Sequence, residues 1–82
     1  MGEIGSALKY WERALQIYEN SGLKTFSIDV LMSLGTAYLA SNDDAKALSR
    51  FERALVLANE LNNQRWQAFA LRNVGVVYLF RH

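Results

Sequence analysis

The amino-acid sequence predicts an all-α protein made of antiparallel helical hairpins. In four stretches of the chain, apolar residues recur every three or four positions, which is the spacing of one face of an α-helix. Short groups of Asn, Ser, Gly and Asp separate the stretches, and such groups end helices. The sequence also resembles itself when it is shifted by 40 residues. A fixed period of this length is typical of stacked helical repeats.

The four predicted helices are separated by short turns. The first helix has an apolar stripe from Ile4 to Tyr18, and Gly22 ends it because glycine readily adopts a positive φ. Asn42 precedes the third helix, and Asn is the residue after Gly that best tolerates a left-handed turn. Asp43 is the predicted N-cap of that helix. The predicted helices cover approximately residues 3–19, 25–40, 44–60 and 64–81.

Small residues mark the predicted contact between the second and third helices. Gly35 lies inside a helix, where Gly costs about 1 kcal/mol relative to Ala. Such a Gly is tolerated where two backbones approach closely, and Ala47 and Ala54 face it from the next helix. Tyr38 and Phe51 are the large residues that fill the space beside them. We therefore expect the second and third helices to pack tightly around Gly35.

The 40-residue shift aligns ten identical positions, and these cluster at small and aromatic residues. One helix carries Leu-Gly-x-x-Tyr and the next carries Ala-x-x-x-Phe-x-x-Ala. This pairing resembles the tetratricopeptide repeat family. The positions that carry the resemblance are Leu34, Gly35, Tyr38, Ala47, Phe51 and Ala54, with partial sets at Ala7, Trp11 and Ala14 and at Val74, Gly75 and Tyr78.

Three features differ from the usual pattern of that family. The period is 40 residues rather than about 34, the aromatic residues Phe26 and Trp66 are displaced, and the chain has no Pro. A longer period with longer helices is similar to the subclass of Leu-Gly-Asn repeat adaptor proteins. In the family's order of an A helix followed by a B helix, this chain is B-A-B-A. The resemblance implies a right-handed superhelical solenoid.

The resemblance implies a scaffold that binds a protein or peptide partner in a groove lined by the A helices. Some members of the family hold a terminal carboxylate with basic and amide side chains, and Arg72 and Asn73 are suitable donors. Thr36 and Val76 occupy positions where that clamp has Asn, and the other groove positions are mainly apolar. The implied groove residues are Asp29, Met32, Ser33, Thr36, Leu39, Ala40, Phe69, Arg72, Asn73, Val76, Leu79 and Phe80.

A second hypothesis is self-assembly through the two terminal helices. The first helix is a B helix without its A helix, and the fourth is an A helix without its B helix. Their apolar residues would lack cover within one chain. We expect either that the chain is a piece of a longer repeat array or that the ends complement each other between chains in a homo-oligomer. The residues concerned are Tyr10, Trp11 and Tyr18 at one end and Val76, Val77, Leu79 and Phe80 at the other.

Composition argues against several other classes of function. The formal net charge of +1 argues against a nucleic-acid or membrane surface driven by charge. The aromatics Trp11, Phe26, Phe51 and Trp66 could stack on nucleic-acid bases, but without a basic stripe they are better placed in the core.

Motifs for catalysis or metal binding are also lacking in the sequence. There is no Cys, and the single His is His82 at the terminus, so no metal site, cofactor or catalytic group is expected. Asp43-Asp44 is better explained by helix capping than by acid–base catalysis. Glu12-Arg13 and Glu52-Arg53 are expected to be solvated or to pair along their own helix. Their recurrence at the repeat period suggests an ionic contact between repeats. We therefore expect one non-enzymatic, cytoplasmic domain over residues 1–82.

Overall fold

The computed structural model describes residues 2–80, and these residues form four α-helices and no strand. The all-α prediction is therefore confirmed, and each predicted helix boundary within the described residues lies within one residue of the observed one. Arg81, the predicted end of the fourth helix, lies outside the described residues. The helices are α1 (Gly2–Asn20), α2 (Lys24–Ala40), α3 (Asp44–Glu60) and α4 (Gln64–Phe80).

The three turns between the helices share one geometry and recur every 20 residues. Each has one residue with a positive φ: Gly22 at 71°, Asn42 at 61° and Asn62 at 52°. In each turn, the next residue donates its backbone N–H to a carbonyl five residues earlier, as Asp43 does to Tyr38 at 2.9 Å. This is the hydrogen bond of a Schellman C-cap, which satisfies carbonyls that the helix end leaves free. The turns therefore reverse the chain in the same way three times.

The helix starts differ in how they are capped. The Oδ1 of Asp43 accepts a hydrogen bond from the backbone N–H of Lys46 at 3.2 Å, so the predicted N-cap of α3 is confirmed. Asn63 caps α4 in the same way by accepting from the backbone N–H of Trp66 at 3.1 Å. Leu23 precedes α2 and makes no side-chain cap. The turn residues that precede α3 and α4 therefore also specify where those two helices begin.

α2 is the central helix of the fold. It packs against α1, α3 and α4, whereas no backbone approach within 8 Å links α1 to α4 within residues 2–80. Because α2 has neighbours on three sides, it is apolar nearly all round. Its most deeply buried side chains are Ile28, Leu31 and Leu34.

Gly35 of α2 and Phe51 of α3 lie in close contact in the core. A β-carbon built on Gly35 would lie 2.7 Å from Cδ1 of Phe51 and closer still to Cε1. Ala47 and Ala54 flank Phe51 in sequence, and all three are fully buried. The expectation of tight packing around Gly35 is therefore confirmed.

Two predictions about individual residues were wrong. Phe26 was expected in the core but is 54% exposed, because it lies in the first turn of α2 and stacks on Tyr18 with ring centroids 5.4 Å apart. Val77 was expected to lack cover on α4 but is fully buried in the core cluster. The exposed large apolar residues of α4 within the described part of the chain are Phe69, Leu71, Tyr78 and Leu79.

Candidate functional site: a groove along helix α2

A cavity of about 560 Å³ lies along one side of α2, and we call it the α2 groove. One helix on either side of α2, namely α1 and α4, contributes side chains to it. Most of these side chains are apolar or aromatic, which is typical of sites that bind peptides or small molecules. The lining residues are Trp11, Asp29, Met32, Ser33, Thr36, Ala37, Ala40, Trp66, Phe69 and Asn73.

Helical periodicity brings these residues to one surface. The six from α2 follow one another at intervals of three, one, three, one and three residues, so they form one continuous side of the helix. Trp66, Phe69 and Asn73 are spaced by three and four residues on α4. The rings of Trp66 and Phe69 lie 6.0 Å apart at an interplanar angle of 43°. Together they form an aromatic wall along the groove.

Four of the lining residues are polar, and two of these donate hydrogen bonds to carbonyls of their own helix. Thr36 donates its hydroxyl to the Met32 carbonyl at 3.0 Å, and Asn73 donates Nδ2 to the Phe69 carbonyl at 2.9 Å. Asp29 is exposed and is the only charged residue among those that line the cavity. The α2 groove is therefore apolar with one carboxylate, and its lining contains no basic side chain.

The structure brings seven of the twelve implied groove residues to this cavity. Leu39 is instead half-buried against the core. Arg72 and Leu79 are exposed outside the cavity lining, and Val76 is half-buried. The side chain of Phe80 lies outside the described residues. The seven that line the cavity are Asp29, Met32, Ser33, Thr36, Ala40, Phe69 and Asn73.

Sequence reasoning did not place Trp11, Ala37 and Trp66 in the groove. Trp11 and Trp66 were assigned to the core, and each does pack against the core cluster while remaining half-buried. A Trp side chain is large enough to contact the core with one part and to line a cavity with another. The signal that could have located them is that Ala37 and Ala40 leave room beside α2 for large neighbours.

A polar cluster of three residues joins α1, α2 and α3 near the groove. Oε2 of Glu12 accepts hydrogen bonds from the Tyr38 hydroxyl at 2.6 Å and from Nη2 of Arg50 at 2.8 Å. No backbone approach within 8 Å links α1 to α3 among the described residues, so the side chains alone span the distance. Glu12 therefore makes the ionic contact between repeats that its recurrence suggested, and its partner is Arg50. Arg53 also reaches α1, where it pairs with Glu19 at 3.6 Å.

The cluster stabilises the charged form of Glu12. Burial alone would raise the pKa of the Glu12 carboxyl, but the hydrogen bonds from Tyr38 and Arg50 and the charges of Arg50 and Lys46 outweigh it, so the pKa is lowered. Burial raises the pKa of the Tyr38 phenol, and the hydrogen bond to Glu12 and its negative charge raise it further. Tyr38 therefore remains a neutral donor to an ionised acceptor.

A second cavity of about 580 Å³ lies beside this cluster. Its lining comes from α1 apart from Tyr38, and it includes the charged residues Lys9, Glu12 and Arg13. Because Glu12 and Tyr38 are already paired with each other, they have less capacity to bind another group. The α2 groove is the better candidate, since three helices and three aromatic side chains build it.

The described residues form neither a metal-ligand cluster nor a membrane-spanning helix. Within residues 2–80, no three His, Cys, Asp or Glu side chains come together in a way that could bind a metal ion. None of the helices in that range has the length and apolarity needed to cross a bilayer. His82 lies outside the described residues.

Helical hairpins that are joined by turns of one geometry, with a groove along the central helix, are typical of helical-repeat proteins. Residues 1–60 match the family model of the tetratricopeptide repeat, which is most of the chain. The chain therefore belongs to the tetratricopeptide repeat family, and that prediction is confirmed. The match spans α1, α2 and α3, and α4 lies beyond it. Neither the curated proteins nor the solved structures include a match to the chain.

Proposed function

We propose that the chain is a protein-interaction module that binds a segment of a partner protein in the α2 groove. Tetratricopeptide repeats are in general protein-interaction modules, which gives the class of function. The observation that carries the specific proposal is the convergence of Trp11, Trp66 and Phe69 with Met32 around one open cavity. Aromatic side chains in such a position offer a large apolar contact area at a small cost in conformational entropy.

The chemistry of the groove favours an apolar segment that also carries a basic residue. Asp29 provides the single charge of the lining, and its carboxylate can pair with Lys or Arg on the partner. A terminal carboxylate fits less well, because the only predicted basic donor, Arg72, does not line the cavity. Met32 adds an adaptable surface, since its thioether side chain fits irregular apolar shapes.

The regular spacing of the turns supports a further assignment within the family. The left-handed residues Gly22 and Asn62 are 40 positions apart, and so are the starts of α2 and α4. We propose on this basis that the chain belongs to the subclass with a 40-residue period, similar to the Leu-Gly-Asn repeat adaptors. An adaptor of this kind binds its partner without chemical turnover.

Binding can be measured with the protein's own fluorescence. The chain has two Trp residues, and both line the groove, so an occupied groove changes their emission. A displayed library of random 12-residue peptides is selected on the purified chain, and the selected peptides are titrated against the Trp11→Phe variant, in which Trp66 is the sole reporter. We expect selected peptides to combine apolar residues with Lys or Arg.

The role of Asp29 is tested with the same peptides. Asp29→Asn removes the charge at nearly constant size, and it should weaken binding and reduce the dependence of binding on salt. Ser33→Ala is a neighbouring substitution that leaves the charge in place. Selection of acidic peptides, or of peptides whose binding leaves Trp66 emission unchanged, would refute the proposed groove chemistry.

Self-association is a second candidate function, and exposed apolar surface on the first and last helices favours it. Tyr10 and Ile17 of α1 are more than half exposed, and so are Leu71 and Leu79 of α4. Apolar residues that are grouped at a surface commonly mark sites of protein–protein contact. Light scattering from micromolar to millimolar concentration tests this candidate, which requires the mass to rise above 9.3 kDa.

A further inference from the structure

The exposed face of α4 repeats the face of α2 that is covered by α3. In α2, the covered face is centred on Gly35, where the ring of Phe51 packs. On α4 the equivalent residue is Gly75, and a β-carbon built there would meet no atom within 4 Å. A Leu four residues before the glycine and a Tyr three residues after it recur in both helices. They are buried at Leu31 and Tyr38, but the corresponding Leu71 and Tyr78 are 57% and 49% exposed.

α1 carries the surface that would complement this face. Ala47, Phe51 and Ala54 of α3 pack against α2, and α1 has Ala, Trp and Ala at the same three positions. The residues of α3 are fully buried, whereas those of α1 are half-buried. The three residues of α1 are Ala7, Trp11 and Ala14.

We propose that α1 of a second copy docks on the exposed face of α4, in the register in which α3 docks on α2. In this register, Trp11 of the second copy packs against Gly75. The ring of Tyr38 has the guanidinium of Arg50 6.0 Å from its centroid. In the proposed contact, Tyr10 of the second copy takes the position of Arg50, and Tyr78 takes the position of Tyr38. Tyr10 is 69% exposed in the single chain, and it packs against Tyr78 in the pair.

Three observations identify the occupant as α1 of another copy. Among residues 2–80, no backbone approach within 8 Å links α1 to α4 of the same chain, and the equivalent face of α3 is already buried. The residues named above on the two faces are all uncharged, so burying their side chains desolvates no ion. The pairing rests on the second candidate function, because it specifies how copies would associate. Since the two faces differ, the contact is heterologous and can add copies successively.

The contact can be blocked from either side with the folded chain intact. Gly75→Leu fills the space in which Trp11 would pack, and in the single chain its side chain meets no neighbour at the β-carbon. Tyr10→Glu places a charge on the α1 face at a residue that is mostly exposed. Each variant should weaken self-association about ten-fold or more. Val56→Glu is the control, because Val56 is 45% exposed on α3 and belongs to neither face.

Mixing the two blocked variants tests the pairing itself. The Gly75→Leu chain retains its α1 face, and the Tyr10→Glu chain retains its α4 face. Sedimentation equilibrium should show that neither variant forms large species alone and that an equimolar mixture forms a dimer of twice 9.3 kDa that does not grow further. A 9.3 kDa wild-type chain at millimolar concentration would overturn both self-association and the pairing.

Two other results would overturn the pairing and leave self-association standing. One is a Gly75→Leu variant that associates as strongly as the wild type. The other is an equimolar mixture that contains no heterodimer although the wild type associates, as expected if two α4 faces pair with each other. Phe69→Ser alters the α2 groove and should leave self-association unchanged. Binding of selected peptides by the Gly75→Leu variant shows separately whether the groove functions without the contact.

Discussion

Phe51 of α3 packs against Gly35 of α2 so closely that the β-carbon of any other residue at position 35 would overlap its ring. The ring is fully buried, so it has no open space into which it can move. The same contact aligns α2 with α3, and α2 in turn provides the central side of the groove. Gly35, which the repeat pattern singles out, therefore also helps to fix the position of the α2 groove.

Substitutions at the two equivalent glycines should have opposite effects on stability. Gly35→Ala should destabilise the fold. Overpacking costs about 1–3 kcal/mol, and the roughly 1 kcal/mol by which Ala favours a helix over Gly offsets part of that cost. Gly75→Ala should stabilise the fold by up to about 1 kcal/mol, because its β-carbon meets no neighbour. Urea unfolding at low micromolar concentration measures both. Equal effects at the two positions would contradict the packing described around Phe51.

The hydrogen bond from Tyr38 to Glu12 should contribute measurably to stability. Tyr38→Phe retains the buried ring and removes the hydroxyl, and we expect a loss of about 1–2 kcal/mol because Glu12 keeps its bond from Arg50. Tyr38→Ala removes the ring as well and should cost about 3–5 kcal/mol. Thermal and urea unfolding followed by circular dichroism measure the difference. A Tyr38→Phe variant as stable as the wild type would show that the hydroxyl contributes nothing.

The stability that Glu12 provides should depend on pH. Its pKa is lower in the folded chain than in the unfolded chain, where it is about 4.5. A carboxyl with a lowered folded pKa contributes stability above the unfolded pKa, and this contribution is lost as the pH falls through the folded pKa. The stability difference between the wild type and Glu12→Gln should therefore be largest near pH 7 and shrink below about pH 4.5.

A matched control separates Glu12 from the other carboxylates. Glu52 occupies the same repeat position on α3 and is exposed. Glu52→Gln makes the same chemical change without touching the cluster, and it should alter stability by only a small amount at pH 7. A Glu12→Gln difference that stays constant from pH 7 to pH 3 would contradict the cluster's assigned effect on the pKa.

The helices and turns could be predicted from sequence because their determinants are local. Gly22, Asn42 and Asp43 act within a few residues of their own position, and the apolar spacing is a property of each helix alone. The contact of Gly35 with the next helix was also predictable, since the small and large residues recur in both repeats.

The remaining features depend on which helices are neighbours. Glu12 reaches Arg50 only because the two helices flank α2 at a suitable distance. Phe26 corresponds to half-buried Trp66 in the repeat, yet it lies largely in solvent. The groove combines side chains from α1, α2 and α4, and a repeat pattern that assigned it to the A helices did not include Trp11.

Peptide binding should discriminate between two exposed phenylalanines. Phe69 is 47% exposed in the groove and Phe26 is 54% exposed outside it. Phe69→Ser should weaken the binding of selected peptides about ten-fold or more, as expected for an aromatic anchor. Phe26→Ser should leave affinity unchanged, although both variants lose a similar side chain. Titrations monitored by Trp66 emission in the Trp11→Phe background compare them, and equal losses would mean that Phe69 acts through folding.

The last prediction concerns the residues with positive φ. Gly22 has a φ of 71° and no atom within 4 Å of a built β-carbon, so Gly22→Ala is strained by its backbone alone. It should destabilise the fold by about 1–2 kcal/mol. Gly5→Ala is the same chemical change inside α1, where φ is helical, and it should stabilise by up to about 1 kcal/mol. Asn42 has a φ of 61°, so Asn42→Gly should be neutral or stabilising. Urea midpoints decide the signs, and a stabilising Gly22→Ala would contradict the left-handed turn on which the 20-residue spacing depends.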